Sequence, residues 1–253
     1  MLNLSTLKTT ETHHAAPGWR EQMAQRARET QHDGLKDFYS GFTIEDDAPL
    51  KDLPLLALDF ETTGLDPDKD DLLSIGAIPF DTNRIQFGQH AYWVLKPAAK
   101  LQPETIAIHG ITHSAVENAP ELLDILPQLL AMMKNRIVVA HCASIEQQFL
   151  NAALKYRIGE GIVFPTLDTL GIEQSHVKAV NKNGIKGFFK RLFASDQSAP
   201  SVRLADSRTR YHLPFYKPHH ALMDALACAE LLQAQSQLHH LENHSLNQLQ
   251  HHP

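Results

Sequence analysis

From residue 54 onward, apolar residues fall into short blocks, and the polar positions between them sort the chain into strands and helices. "LLALDF" (55–60), "LLSIGAIPF" (72–80) and "HAYWVLK" (90–96) are three short apolar segments separated by polar turns. Connections this short favour antiparallel neighbours. In "PELLDILPQLLAMMK" (120–134) the apolar positions recur at helical spacing, and Pro127 is expected to interrupt the helix. "RIVVA" (136–140) reads as a buried strand and "SIEQQFLNAALKY" (144–156) as a helix with Ser144 as its cap. "IVFPTLDTL" (162–170) predicts a fifth strand running into a helix, and "HALMDALACAELLQAQSQL" (220–238) an amphipathic helix rich in alanine and leucine. Three antiparallel strands followed by crossover helices and two further strands make a mixed α/β sheet.

The remaining chain divides around that core. Residues 1–52 predict a helical N-terminal extension, with Trp19, Met23, Phe38 and Tyr39 as docking points. Residues 53–238 form the main domain, and 239–253, rich in His, Gln and Asn, predict a frayed tail. No apolar run reaches the roughly 18 residues of a membrane span, and the start lacks a secretory pattern. Cys142 and Cys228 are the only cysteines and form no CxxC pair, which fits a reducing, cytoplasmic setting.

Three places put carboxylates where an apolar element ends. Asp59 and Glu61 stand one residue apart at the tip of the first strand, on one face, followed by Thr62, Thr63 and Gly64. Two like charges that close repel unless a proton or a cation intervenes. Glu146 lies in the first turn of the helix after "VVAHCA", and Asp224 one turn into the helix entered through Pro218, His219 and His220. Each alone also reads as a solvent-facing strand end or a decorated helix terminus. Together they describe acids gathered at one end of an α/β sheet, with an imidazole beside the last. The chemistry that accounts for all of them is a divalent-cation site with a titratable base; magnesium takes oxygen ligands and leaves room for water and phosphate.

These residues resemble the DEDDh 3′–5′ exonucleases, the family that includes the proofreading epsilon subunit of bacterial DNA polymerase III. "LDFETTGLD" resembles the first motif, "AHCASIEQQFL" the second (H-N-A-x-F-D-x-x-F) and "HHALMDA" the third (H-x-A-x-x-D). The resemblance covers about residues 55–235 and implies a ribonuclease H-like, five-stranded sheet flanked by helices. It implies two Mg²⁺ or Mn²⁺ held by Asp59, Glu61, Glu146 and Asp224, with Asp59 shared between them and His219 as general base. His220, one helical turn from Asp224, is the alternative base. "PETIAIHGIT" implies Glu104 and His109 as contacts to the terminal nucleotide, alongside Thr62, Thr63 and Gly64, and Asp168 in "LDTL" as a structural acid. Glu146 and Cys142 depart from the family's Asp and Asn.

Charge limits the substrate reading. At a net charge of −6 the chain lacks the basic surface that holds long duplexes, so nucleic acid should be gripped locally. Residues 175–217 invert the sign, with nine Lys/Arg against two Asp, interleaved with Phe188, Phe189, Phe193, Tyr211, Phe215 and Tyr216. That composition suits single-stranded nucleic acid, or else an insertion whose rings pack onto the domain. The expectation is a metal-dependent exonuclease acting on 3′ ends, DNA in preference to RNA through the resemblance to the proofreading branch. It would work with polymerase machinery or alone in repair. An exoribonuclease of the same fold, or a catalytically weakened end-binding protein, are the alternatives.

Overall fold

The computed structural model describes residues 18–98, 111–180 and 200–250. Glu104, His109 and positions 181–199 of the basic segment lie outside them.

The apolar blocks become five strands: β1 (Leu55–Thr62), β2 (Leu72–Phe80), β3 (Ala91–Val94), β4 (Ile137–Ala140) and β5 (Thr166–Asp168). They form one sheet in the order β3-β2-β1-β4-β5, antiparallel between β1, β2 and β3 and parallel from β1 through β4 to β5. This is the expected mixed α/β sheet. Every residue of β2 is buried, because the strand is covered on both faces.

The described chain before β1, residues 18–54, packs onto the domain. Helices α1 (Trp19–Glu29) and α2 (Asp33–Ser40) put Met23, Leu35, Phe38 and Tyr39 into the same apolar core as the sheet, with Trp19 packed against it. The helices that follow β3 are α3 (His113–Glu117) and α4 (Leu122–Met133). Pro127 lies inside α4 without ending it. The carbonyl it deprives of a donor belongs to Leu123, which is exposed, so water can take the place of the missing amide. Helix α5 (Ser144–Ile158) starts one residue earlier than a Ser144 cap would allow: Ala143 is the N-cap and makes no side-chain bond, while Gly159 closes the other end at φ 75°.

Helix α6 (Thr169–Val180) follows β5 directly, and α7 (Leu204–Arg210) leads into α8 (Ala221–His239). The predicted amphipathic character of α8 does not hold. The helix lies on β1 and β2 and is itself covered by α6 and α7, so Ala221, Leu222, Ala225, Cys228, Ala229, Leu232, Gln235 and Ser236 are all buried. Its small alanines allow that double coverage.

The frayed tail is also corrected. Residues 241–243 form a helical turn and Leu246–Gln250 a short helix, α9, with Leu241, Leu246 and Leu249 buried. The Leu50 amide donates to the His244 carbonyl at 2.9 Å, and Gln250 Nε2 donates to the Thr166 carbonyl at 2.5 Å. Apolar residues spaced for one helical face were sparse enough in a polar stretch to be overlooked. Among the described residues, no helix is long and apolar enough to cross a membrane.

Candidate metal and active site

Strand alternation puts Asp59 and Glu61 on one side of β1, where they face Gly76 and Ser74 of β2 across the ladder. The register slips between Glu61 and Thr62, so the strand ends there and the chain turns. The Thr62 hydroxyl donates to the Gly64 carbonyl at 2.6 Å. Thr63 Oγ1 accepts from the Asp71 amide at 2.9 Å and donates to Asp70 Oδ1 at 3.3 Å. Both threonine hydroxyls are thus engaged in shaping the turn. Asp71 in turn accepts from the Ala98 amide at 2.6 Å and pairs, buried, with Arg157 of α5.

Helix α8 brings the third acid. Gly76 permits this: a Cβ there would lie 2.3 Å from the Ala221 carbonyl carbon and oxygen and from the Leu222 amide nitrogen. Lacking one, β2 lets the start of α8 lie against its backbone, beside Asp59. Asp224 then reaches Asp59 and Glu61, and ligand oxygens of the three lie within 4.8 Å of one another. Asp224 Oδ2 accepts from the His220 amide at 2.9 Å and Oδ1 from the Tyr216 hydroxyl at 2.8 Å.

Glu146 approaches from α5. It is 3 % exposed, and its Oε2 has no hydrogen-bond partner. The turn that delivers it contains Cys142 at φ 80°, an uncommon conformation for a residue with a Cβ. Asp168 Oδ1 holds that turn by accepting from the Cys142 and Leu170 amides, each at 2.9 Å. His141 ties it to the other side: its Nε2 donates to the Val202 carbonyl at 2.8 Å, and Nδ1 lies 2.9 Å from the Thr169 hydroxyl.

The cost of gathering these acids is visible in their proton affinities. Burial lifts Asp59 well above the usual carboxylate range, and the charges of Glu146, Asp224 and Glu61 add to it. Burial pushes Glu146 up to about 8; Asp168 adds to the rise, while its own amide and that of Phe60 hold it back. Burial also raises Asp224, against the His220 amide and the Tyr216 hydroxyl. Clustered carboxylate oxygens, mutual repulsion and an unpartnered buried Oε2 together fit a hard divalent cation such as Mg²⁺ or Mn²⁺.

The two histidines at the mouth of α8 differ. His220 stacks on Tyr92 with ring centroids 4.5 Å apart and forms the N-cap. His219 is exposed, holds φ 70° and exerts a charge effect on Asp224.

A family model described as an exonuclease (RNase_T) matches residues 56–232. The chain belongs to the DEDDh 3′–5′ exonuclease family. The DNA polymerase III epsilon subunit of Treponema pallidum is 26% identical over 197 residues, covering 77% of this chain and 82% of that protein. A PolC-type DNA polymerase III of Thermotoga maritima is 33% identical over 135 residues, 53% of this chain. The match spans only 10% of that polymerase's own length. Among solved structures, the zinc-bound E. coli ExoI–ssDNA complex shares the fold at a TM-score of 0.60 and 18% identity, over 74% of this chain and 41% of that one. The nuclease domain of 3′hExo, a DEDDh family member bound to rAMP, does so at 0.58 and 15%, over 78% and 96%. The sheet is therefore the ribonuclease H-like one that the resemblance implies.

Within this exonuclease fold, the first and third motifs meet in space and the second stands beside them. The basic segment is read differently from its composition. Of its described members, Arg208 is 3 % exposed and pairs with Glu230, and Arg210 pairs with buried Glu173. Tyr211 bonds to His239 at 2.8 Å; of the segment's described aromatic rings Phe215 stands out, 93 % exposed, and Arg203 and Lys217 are exposed as well. From Pro200 to Lys217 the segment mostly braces α8. Sequence reasoning missed Gly76 and Tyr216 as shapers of the site; the glycine inside a buried, mostly apolar strand was the available signal.

Proposed function

We propose that this chain is a metal-dependent 3′–5′ exonuclease that hydrolyses the terminal phosphodiester of DNA, preferring single-stranded 3′ ends and releasing nucleoside 5′-monophosphates. The observation that carries the reading is the convergence of Asp59, Glu61 and Asp224 oxygens within 4.8 Å, with Glu146 buried beside them. Asp59, Glu61, Asp224 and Glu146 would hold two divalent ions, Mg²⁺ or Mn²⁺. Such ions neutralise the scissile phosphate, activate water and stabilise the leaving oxygen. His219, exposed at the mouth of α8, accepts the proton of the attacking water, a role an imidazole nitrogen can fill. The backbone of Thr62, Thr63 and Gly64 lines the approach of the terminal nucleotide, with Glu104 and His109 as further contacts. The preference for DNA, and a place beside a replicative polymerase, rest on the similarity to the DNA polymerase III epsilon subunit.

The test uses 5′-labelled DNA and RNA oligomers of matched sequence, with Mg²⁺, with Mn²⁺ and with chelator. A 3′-shortening ladder on DNA that chelator and Asp59→Ala both abolish is expected. Equal degradation by wild type and Asp59→Ala would overturn the reading, and a ladder on RNA alone would move the substrate to RNA. The longer Glu146 favours one other reading, an end-binding protein with weak turnover. Tight binding to 3′ ends without a ladder, and cleavage restored by Glu146→Asp, would establish it.

A further inference from the structure

The loop before α8 makes a contact that the proposed chemistry does not use. Arg208 on α7 is buried, and its guanidinium has four anchors. It donates to the Ala227 carbonyl at 2.8 Å and the Pro214 carbonyl at 3.0 Å, and pairs with Glu230 at 2.7 Å. It also lies over the Tyr216 ring, 5.0 Å from the centroid. The loop carrying Pro214 and Tyr216 is thus clamped to the same helix that carries Asp224. Tyr216 then donates its hydroxyl to Asp224 Oδ1 at 2.8 Å, while the His220 amide holds Oδ2 at 2.9 Å.

We propose that Tyr216, backed by Arg208, is a positioning residue for Asp224, fixing that carboxylate in the orientation in which it meets Asp59 and Glu61 and so raising the cluster's affinity for a divalent cation. The proposal rests on the reading of the cluster as a metal site. A carboxylate oxygen has two lone pairs, so Oδ1 can accept the phenol and still present the other to a cation. An unheld aspartate loses rotamer freedom each time it binds a cation; one already held at both oxygens has lost it on folding. Outer partners of this kind orient ligands and commonly change metal affinity about 10–100-fold when removed. The contact also gives the returning end of the basic segment a task at the site: it delivers a phenol to the third acid.

The test compares the wild-type chain, residues 1–253, with Tyr216→Phe and Asp59→Ala. Phenylalanine keeps the ring over Arg208 and removes only the hydroxyl. Mn²⁺ binding is followed by the electron paramagnetic resonance of free Mn²⁺, alongside the thermal midpoint in chelator and the Mn²⁺ dependence of cleavage. Tyr216→Phe is expected to bind Mn²⁺ about 10-fold more weakly. Its Mn²⁺ activation curve should shift by the same factor, the deficit in rate shrinking as Mn²⁺ rises. Tyr216→Gln, which returns a polar donor, should recover part of the affinity and serves as the second variant if the first misfolds. Unchanged or tighter binding by Tyr216→Phe, while Asp59→Ala loses it, overturns the proposal alone. Wild type and Asp59→Ala binding Mn²⁺ equally poorly overturns the metal-site reading and this proposal with it.

Discussion

Gly76→Ala places a single methyl at the point where the site is assembled. The added Cβ would sit 2.3 Å from three backbone atoms of Ala221 and Leu222, whereas ordinary contact begins at 3.4 Å. No rotamer change can relieve a clash with backbone, so the mouth of α8 must retreat by about 1 Å or the β1–β2 ladder must bend. Overpacking of this kind costs about 1–3 kcal/mol of stability. Asp224 lies one turn into α8 and is held by the His220 amide, so it moves away from Asp59 and Glu61 with the helix mouth. A misplacement of about 1 Å at reacting groups costs on the order of 10²-fold in rate. The assay pairs urea unfolding midpoints with initial rates on a labelled oligonucleotide across a Mn²⁺ series. Gly88→Ala is the control, because its Cβ would meet nothing within 4 Å. Gly76→Ala is expected to lose stability and to lose rate far beyond what the unfolded fraction explains, with Gly88→Ala close to wild type. A Gly76→Ala protein with wild-type midpoint and wild-type Mn²⁺ response would refute the claim that this close approach sets the geometry.

Two further predictions concern protons and strain. Because burial raises Asp59, Asp224 and Glu146, the last from 4.5 to about 8, the folded metal-free protein keeps protons that the unfolded chain has released. Their contribution to stability is whole below about pH 4 and is lost as pH rises toward about 8, so the thermal midpoint in chelator should fall across that window. Glu146→Gln or added Mn²⁺ should flatten the slope; a slope identical in wild type and Glu146→Gln would exclude Glu146 as a contributor. His219 holds φ 70°, which costs a residue with a Cβ roughly 1–2 kcal/mol. His219→Gly should therefore raise the unfolding free energy by about 1 kcal/mol while slowing cleavage about 10²–10⁴-fold. Gained stability with undiminished rate would remove His219 as the base and direct attention to His220.

How far the sequence reached can be judged from particular elements. β1, β2 and β4 were legible because near-continuous apolar runs bounded by turns have few other uses, and their mixed pairing followed from short against long connections. Asp59 and Glu61 were legible because charges at the tip of an apolar strand stand out against it. Helix α8 was legible as a helix but not as a buried one: its alanines read as one face of an amphipathic helix, and only the packing of α6 and α7 over it showed otherwise. The C-terminal turn and α9 escaped notice for a related reason, since burial of Leu241, Leu246 and Leu249 depends on what lies beneath them.

Local order, patterning and the identity of the acids are properties of neighbours along the chain, and the sequence by itself determined them. Distances between side chains from distant segments are not. That Asp224 meets Asp59, that Tyr216 caps its carboxylate and that Arg208 and Arg210 turn inward were decided by tertiary packing. The physical reason is steric and electrostatic together: a missing Cβ at Gly76 admits the helix, and burial, with the charges of neighbouring carboxylates added, pushes Asp59 and Asp224 toward holding a proton.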